Sequence, residues 1–167
     1  MLLTVFRHGE AGDAASDYAR MLTATGEQAV AHAAGSLQQA CRSRELPSPD
    51  AVCSSPWIRT MATADILSSV MGMALADVEP ALQPGASPSG VDKFLAARLA
   101  ARGEPAHLLV VSHQPLVSRL VDYWSDTAGQ VPPLTPAAFA TLALDVPARG
   151  GGRLLFWALP PLFEISA

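Results

Sequence analysis

The chain has 167 residues, half of them hydrophobic and 16% charged, with 11 basic against 15 acidic residues. That length suits one sizeable core, and so apolar a composition excludes a disordered chain. A net charge of −4 argues against a nucleic-acid binder, whose affinity rests on neutralising phosphates. No apolar run approaches the roughly 20 residues that cross a bilayer, and Met1 to Phe6 passes straight into Arg7-His8-Gly9 without the features of a secretory leader. Cys41 and Cys53, the two cysteines, make no disulfide framework. The expectation is a cytoplasmic monomer, one domain over residues 1–167, without nucleic-acid or membrane partners.

Strand-like and helix-like segments alternate along the chain. Leu2 to Phe6 reads as a buried strand. After a polar loop, Thr23 is placed to cap a helix whose inner face carries Val30, Ala33, Leu37 and Ala40. Ala51 to Ser54 is a second strand. Ser55-Pro56 reads as the N-cap and first residue of the next helix, with Trp57, Met61, Ala64, Leu67 and Met71 as its buried stripe. A Pro/Gly/Ser-rich stretch from Met73 to Gly90 has room for one short strand near Ala74 to Val78. Ser89 with Asp92 reads as a capping pair for a helix that ends at Gly103. His107 to Ser112 has the continuous apolar run of a central strand. Pro115 to Trp124 is helical by spacing, and Phe139 to Val146 with Leu154 to Leu159 read as a hairpin around Arg149-Gly150-Gly151-Gly152. This order predicts a three-layer α/β sandwich. Its sheet is mainly parallel, with helices on both faces and an antiparallel C-terminal edge.

In such folds ligands sit at the carboxyl ends of the strands. Three polar clusters fall there: Arg7-His8-Gly9-Glu10, Ser54 to Thr60, and Ser112-His113-Gln114-Pro115. Two arginines and two histidines converging on one point suit a phosphoryl group, since the guanidinium fork matches phosphate oxygens and helix N-termini add N–H donors. A neutral histidine among arginines is a nucleophile. Gly9 leaves room for a close backbone approach. A second histidine can donate to the phosphoryl oxygens.

Arg7-His8-Gly9 resembles the RHG motif of the histidine phosphatase superfamily, the phosphoglycerate-mutase-like fold. Ser55-Pro56 with Arg59 and Thr63-Ala64 resembles that family's second motif, and Ser112-His113 its late-histidine motif. Asp17-x-x-Arg20-x-Leu22-Thr23-x-x-Gly26 is similar to a motif of the SixA-type phosphohistidine phosphatases, with Met21 where proline is usual. The resemblance implies His8 as phosphoryl acceptor, with Arg7, Arg59 and His113 lining the phosphate pocket. It implies Arg20, Gly9 and Ser55 as substrate-binding residues. Many members of the superfamily carry a general acid between the second and third motifs, but Pro80 to Gly90 contains no carboxylate; the nearest are Glu79, Asp77 and Asp92.

The expectation is a phosphatase acting on phosphohistidine in a partner protein, such as a histidine phosphotransfer domain. A small-molecule phosphomonoesterase and a non-catalytic phosphate-sensing or partner-binding module are the alternatives. No cofactor is expected, and no His/Cys/Asp/Glu spacing resembles a metal site. His32 and His107 read as structural, Cys53 as an inert buried thiol, and Trp57 as packing or a pocket wall.

Overall fold

The computed structural model describes residues 1–167. Six strands form one sheet: β1 (Leu2–Arg7), β2 (Ala51–Ser54), β3 (Asp77–Val78), β4 (His107–Ser112), β5 (Phe139–Leu144) and β6 (Gly152–Ala158). Four helices accompany them: α1 (Ala24–Ser43), α2 (Ile58–Met71), α3 (Pro88–Arg102) and α4 (Leu116–Ser125), with a single 3₁₀ turn at Pro80–Leu82. The sheet order is β3-β2-β4-β1-β5-β6. β3, β2, β4 and β1 run parallel, while β5 and β6 are antiparallel additions, as the sequence order suggests. No helix is long and apolar enough to cross a membrane.

β4 is buried along its whole length because it has parallel partners on both sides and helices on both faces. Its side chains divide by period two. Leu108 and Val110 join Leu3 and Val5 of β1 in a core beneath α3 and α4, while Leu109 and Val111 join Phe6 in a second core beneath α1 and α2. Trp124 and Leu120 anchor α4 in the first core, Leu37 and Leu67 the α1–α2 layer in the second. His107 is structural, as expected. Its Nδ1 sits 2.9 Å from the Pro47 carbonyl, which only accepts, so Nδ1 carries the proton. Nε2 then accepts from Thr4 Oγ1 at 2.7 Å, and Thr141 donates to Thr4 in turn.

α1 begins where expected: Thr23 is its N-cap and accepts from the Gly26 amide. Two other starts differ. α2 begins at Ile58 with Trp57 as an N-cap that offers no side-chain bond, so Ser55 is not the cap. The Ser55 hydroxyl instead meets His113, and its carbonyl accepts from Thr60 Oγ1 at 2.8 Å. α3 is capped by Ser87, which accepts from the Gly90 amide, with Pro88 as its first residue. Asp92 is no capping partner because its carboxylate accepts from Tyr123 Oη and Trp124 Nε1. The buried face of α2 also differs from its apolar stripe. Arg59, Thr60, Thr63, Ala64, Leu67 and Ser68 face inward, while Met61 is exposed. A polar helix face turned into the molecule marks the place where the strand ends meet.

Candidate active site

β1 and β4 are neighbours in register, with Arg7 opposite Ser112, so His8 and His113 leave the sheet side by side. Their ring centroids are 5.1 Å apart. Arg59 enters from the first turn of α2, and Arg20 from the loop between β1 and α1. A cavity of about 300 Å³ results, lined by Arg7, His8, Glu10, Ala11, Asp17, Arg20, Arg59, Pro84, His113, Gln114 and Pro136. Of the residues expected at the site, Arg7, His8, Arg20, Arg59 and His113 line this cavity. Gly9 and Ser55 stand behind it.

The tautomer of His8 follows from its partners. Nδ1 lies 2.7 Å from the Gly9 carbonyl, an acceptor only, so Nδ1 holds the proton. Nε2 keeps its lone pair and accepts from Arg59 Nε at 3.1 Å. A nucleophilic nitrogen thus faces an arginine in a cavity carrying two more. Arg7 Nη1 donates to the Leu134 carbonyl at 2.8 Å, and its buried Nε has no partner within the protein. His113 Nε2 and Ser55 Oγ are 2.9 Å apart, while its buried Nδ1 is likewise unpaired. If the Ser55 hydroxyl donates to Nε2, Nδ1–H is a donor without an acceptor. Trp57 packs behind these side chains and does not line the cavity, with its ring 5.2 Å from that of His113 and the Arg59 guanidinium 4.6 Å above it.

Among solved structures, the chain is 31% identical to the protein histidine phosphatase SixA complexed with tungstate, over 94% of this chain and 96% of that one, at a TM-score of 0.76. The chain belongs to the histidine phosphatase superfamily. A SixA of Nakamurella multipartitia shares 26% identity over 95% of each chain at a TM-score of 0.68. The mycobacterial glucosyl-3-phosphoglycerate phosphatase complexed with VO3 shares 17% identity over 95% of this chain and 99% of that one at 0.70, a likeness of fold. No protein-family model and no curated protein matches.

Backbone packing positions the histidine of this phosphatase. The Gly9 amide donates to Thr63 Oγ1 at 3.1 Å, and Thr63 in turn donates to the Arg59 carbonyl at 2.7 Å, tying the His8 loop to α2. Gly9 is needed here because a Cβ would stand 2.8 Å from Val30 Cγ2 and 2.9 Å from the Gly26 carbonyl. Gly26 is needed for the same approach, since its Cβ would collide with the Glu10 carbonyl. Thr63 belongs to the second motif, yet its bond to Gly9 shows only in the fold.

Asp17, which the sequence motif contains but to which it assigns no role, also lines the cavity. Its carboxylate reaches Arg20 Nη1 at 3.2 Å and Arg59 Nη2 at 3.3 Å. The three candidate acids lie elsewhere. Asp77 pairs with Arg98 and Arg102, Glu79 accepts from the Ala81 amide at 2.7 Å, and Asp92 is held by Tyr123 and Trp124.

Burial pushes the His8 pKa down to about 4, and Arg59, Arg7 and Arg20 add to the effect against the hydrogen bond to Gly9. Burial, then His8 and Arg59, push His113 to about 3. Protonation removes the Nε2 lone pair, so the nucleophile is lost as pH falls through about 4 and is intact near the ordinary histidine value. A ¹⁵N-edited NMR titration is expected to place the His8 midpoint near 4. A midpoint near the ordinary value would contradict this environment.

Proposed function

We propose that residues 1–167 act as one histidine phosphatase domain that removes the phosphoryl group from phosphohistidine in a partner protein, such as a histidine phosphotransfer domain. The observation that carries the covalent route is the bond from His8 Nδ1 to the Gly9 carbonyl, because it leaves the lone pair on Nε2, which faces Arg59 in a cavity that also holds Arg7 and Arg20. The kinship with SixA supports the substrate class.

As the phosphoryl group enters, Arg59 Nε–H turns from His8 Nε2 to a phosphoryl oxygen. The Nε2 lone pair forms an N–P bond while the P–N bond of the substrate breaks. The departing imidazole, already protonated on its far nitrogen, leaves as a neutral ring. Water then attacks phosphorus, the bond to Nε2 breaks, and its electron pair returns to His8. Inorganic phosphate departs, with the water's proton passing to solvent. Arg7 and Arg59 neutralise the equatorial oxygens, and His113 Nδ1–H donates to one of them. Ser55 fixes the His113 tautomer, Gly9 lets the backbone close behind His8, and Arg20 binds the substrate at the cavity mouth.

Arginine's two-pronged geometry matters here as much as its charge. Arg59→Lys is expected to lose at least about tenfold in kcat/KM, and wild-type turnover is expected to survive EDTA. Retention of more than about half of kcat/KM by Arg59→Lys would remove Arg59 from the pocket.

The phosphomonoesterase reading has one observation in its favour: Glu10 and Asp17 both line the cavity. Asp17 is bound to two arginines, which hold its carboxylate ionised and make it a poor acid. Glu10, whose carboxylate accepts only from the Thr23 hydroxyl, is the acid that reading requires.

A further inference from the structure

We propose that the Asp17 carboxylate holds down the affinity of the cavity for free phosphate, so that the released dianion leaves instead of blocking the site. The inference rests on the reading that this cavity takes the phosphoryl group. Asp17 stands between two of the three cavity arginines, with Oδ1 3.2 Å from Arg20 Nη1 and Oδ2 3.3 Å from Arg59 Nη2. A tetrahedral anion in the cavity would draw on those same guanidinium groups. It must take the N–H donors from a carboxylate already there, and afterwards lie beside its charge.

The carboxylate is not what holds the arginines in place. Arg59 Nη1 donates to the Asp17 backbone carbonyl at 2.6 Å, and its guanidinium lies over the Trp57 ring. Arg20 Nε and Nη2 donate to the carbonyls of Gly12 and Ala11 at 2.8 and 2.9 Å. None of these contacts uses the Asp17 side chain. What the carboxylate adds is therefore charge, and toward an anion that charge is repulsive. Burial is the largest single influence and opposes its ionisation, but the hydrogen bonds and charges of Arg20 and Arg59 together outweigh it and hold the carboxyl below its ordinary value. The side chain is 56% exposed, so it is free to swing aside when a phosphoryl group enters. Glu10 touches no arginine, which leaves Asp17 as the carboxylate that competes for them.

One unit charge about 6 Å from a dianion in water-like surroundings changes affinity by roughly tenfold. Binding of inorganic phosphate, measured by calorimetry at low ionic strength, compares wild type with Asp17→Asn, Asp17→Ala and Asp17→Glu. Asp17→Asn and Asp17→Ala are both expected to bind about tenfold tighter than wild type, with Asp17→Glu close to wild type. The gap is expected to shrink in about 0.5 M salt. The alanine variant excludes a gain from the new amide of asparagine. A purely structural Asp17 predicts the opposite sign, since loosened arginines bind phosphate more weakly. Equal or weaker binding by Asp17→Ala would overturn the proposal while leaving the phosphoryl pocket standing. Absence of phosphate binding by every protein, wild type included, would overturn both.

Discussion

A His8→Ala variant is expected to fold normally and to lose at least about 10⁴-fold in turnover, the scale on which a covalent nucleophile matters. The loss should be this large because nothing else at the site can replace the nitrogen. His113, its ring neighbour, has Nε2 committed to Ser55. Glu10 and Asp17 are the remaining cavity nucleophiles, and Asp17 is tied to Arg20 and Arg59. The fold should survive because the His8 side chain makes its hydrogen bonds only to the adjacent Gly9 carbonyl and to Arg59. The backbone bonds of His8 run to Ser112 and Ala137 and do not depend on the ring. Circular dichroism and thermal melting should therefore match wild type while steady-state turnover disappears. Near-normal turnover by His8→Ala would contradict the covalent route.

Phosphohistidine is expected to be turned over best, an activated aryl phosphate next, and alkyl phosphates such as phosphoserine last. An alkoxide leaving group is a strong base and needs a proton from a positioned acid, which contributes about 10²–10⁴-fold. An imidazole protonated on its far nitrogen leaves neutral and needs none. The fold sharpens this contrast. Asp77, Glu79 and Asp92 are all engaged away from the cavity, and only Pro84 of the acid-free segment Pro80 to Gly90 lines it. The gap between phosphohistidine and phosphoserine is expected to be roughly 10²-fold or more in kcat/KM. A phosphorylated phosphotransfer domain, p-nitrophenyl phosphate and phosphoserine under one set of conditions decide it. Equal rates on phosphoserine and phosphohistidine would mean that Glu10 serves as an acid, and Glu10→Gln would then remove the phosphoserine activity alone.

The strands and the site motifs were legible because both are local signals. A continuous apolar run marks β4, and Arg7 ends β1 with His8-Gly9 directly after it, so the strand-end position of His8 needed no tertiary knowledge. The start of α2 was not legible, because Ser55 followed by Pro56 has every local feature of a cap. A distant histidine takes its hydroxyl instead. The inward face of α2 was misread for a related reason. Apolar spacing points to Met61, whereas Arg59 turns into the cavity and Thr63 turns to the Gly9 amide. Ser87 displaced Ser89 as the α3 cap by two residues, and Asp92 was claimed by two side chains of α4 some thirty residues on. Asp17 escaped notice as a functional group because its partners depend on the path of the loop over α2. Arg20, three residues on, is a local partner, but Arg59 on α2 is not.

Every later step depends on transfer of the phosphoryl group to His8 Nε2. Rapid quenching during turnover, followed by peptide mapping and ³¹P NMR of the base-stable, acid-labile phosphoenzyme, tests it most directly. Phosphohistidine at His8 substituted on Nε2 is expected, because Nδ1 is occupied by its bond to the Gly9 carbonyl. A phosphoryl group found on His113, on His8 Nδ1 or on a carboxylate would contradict it.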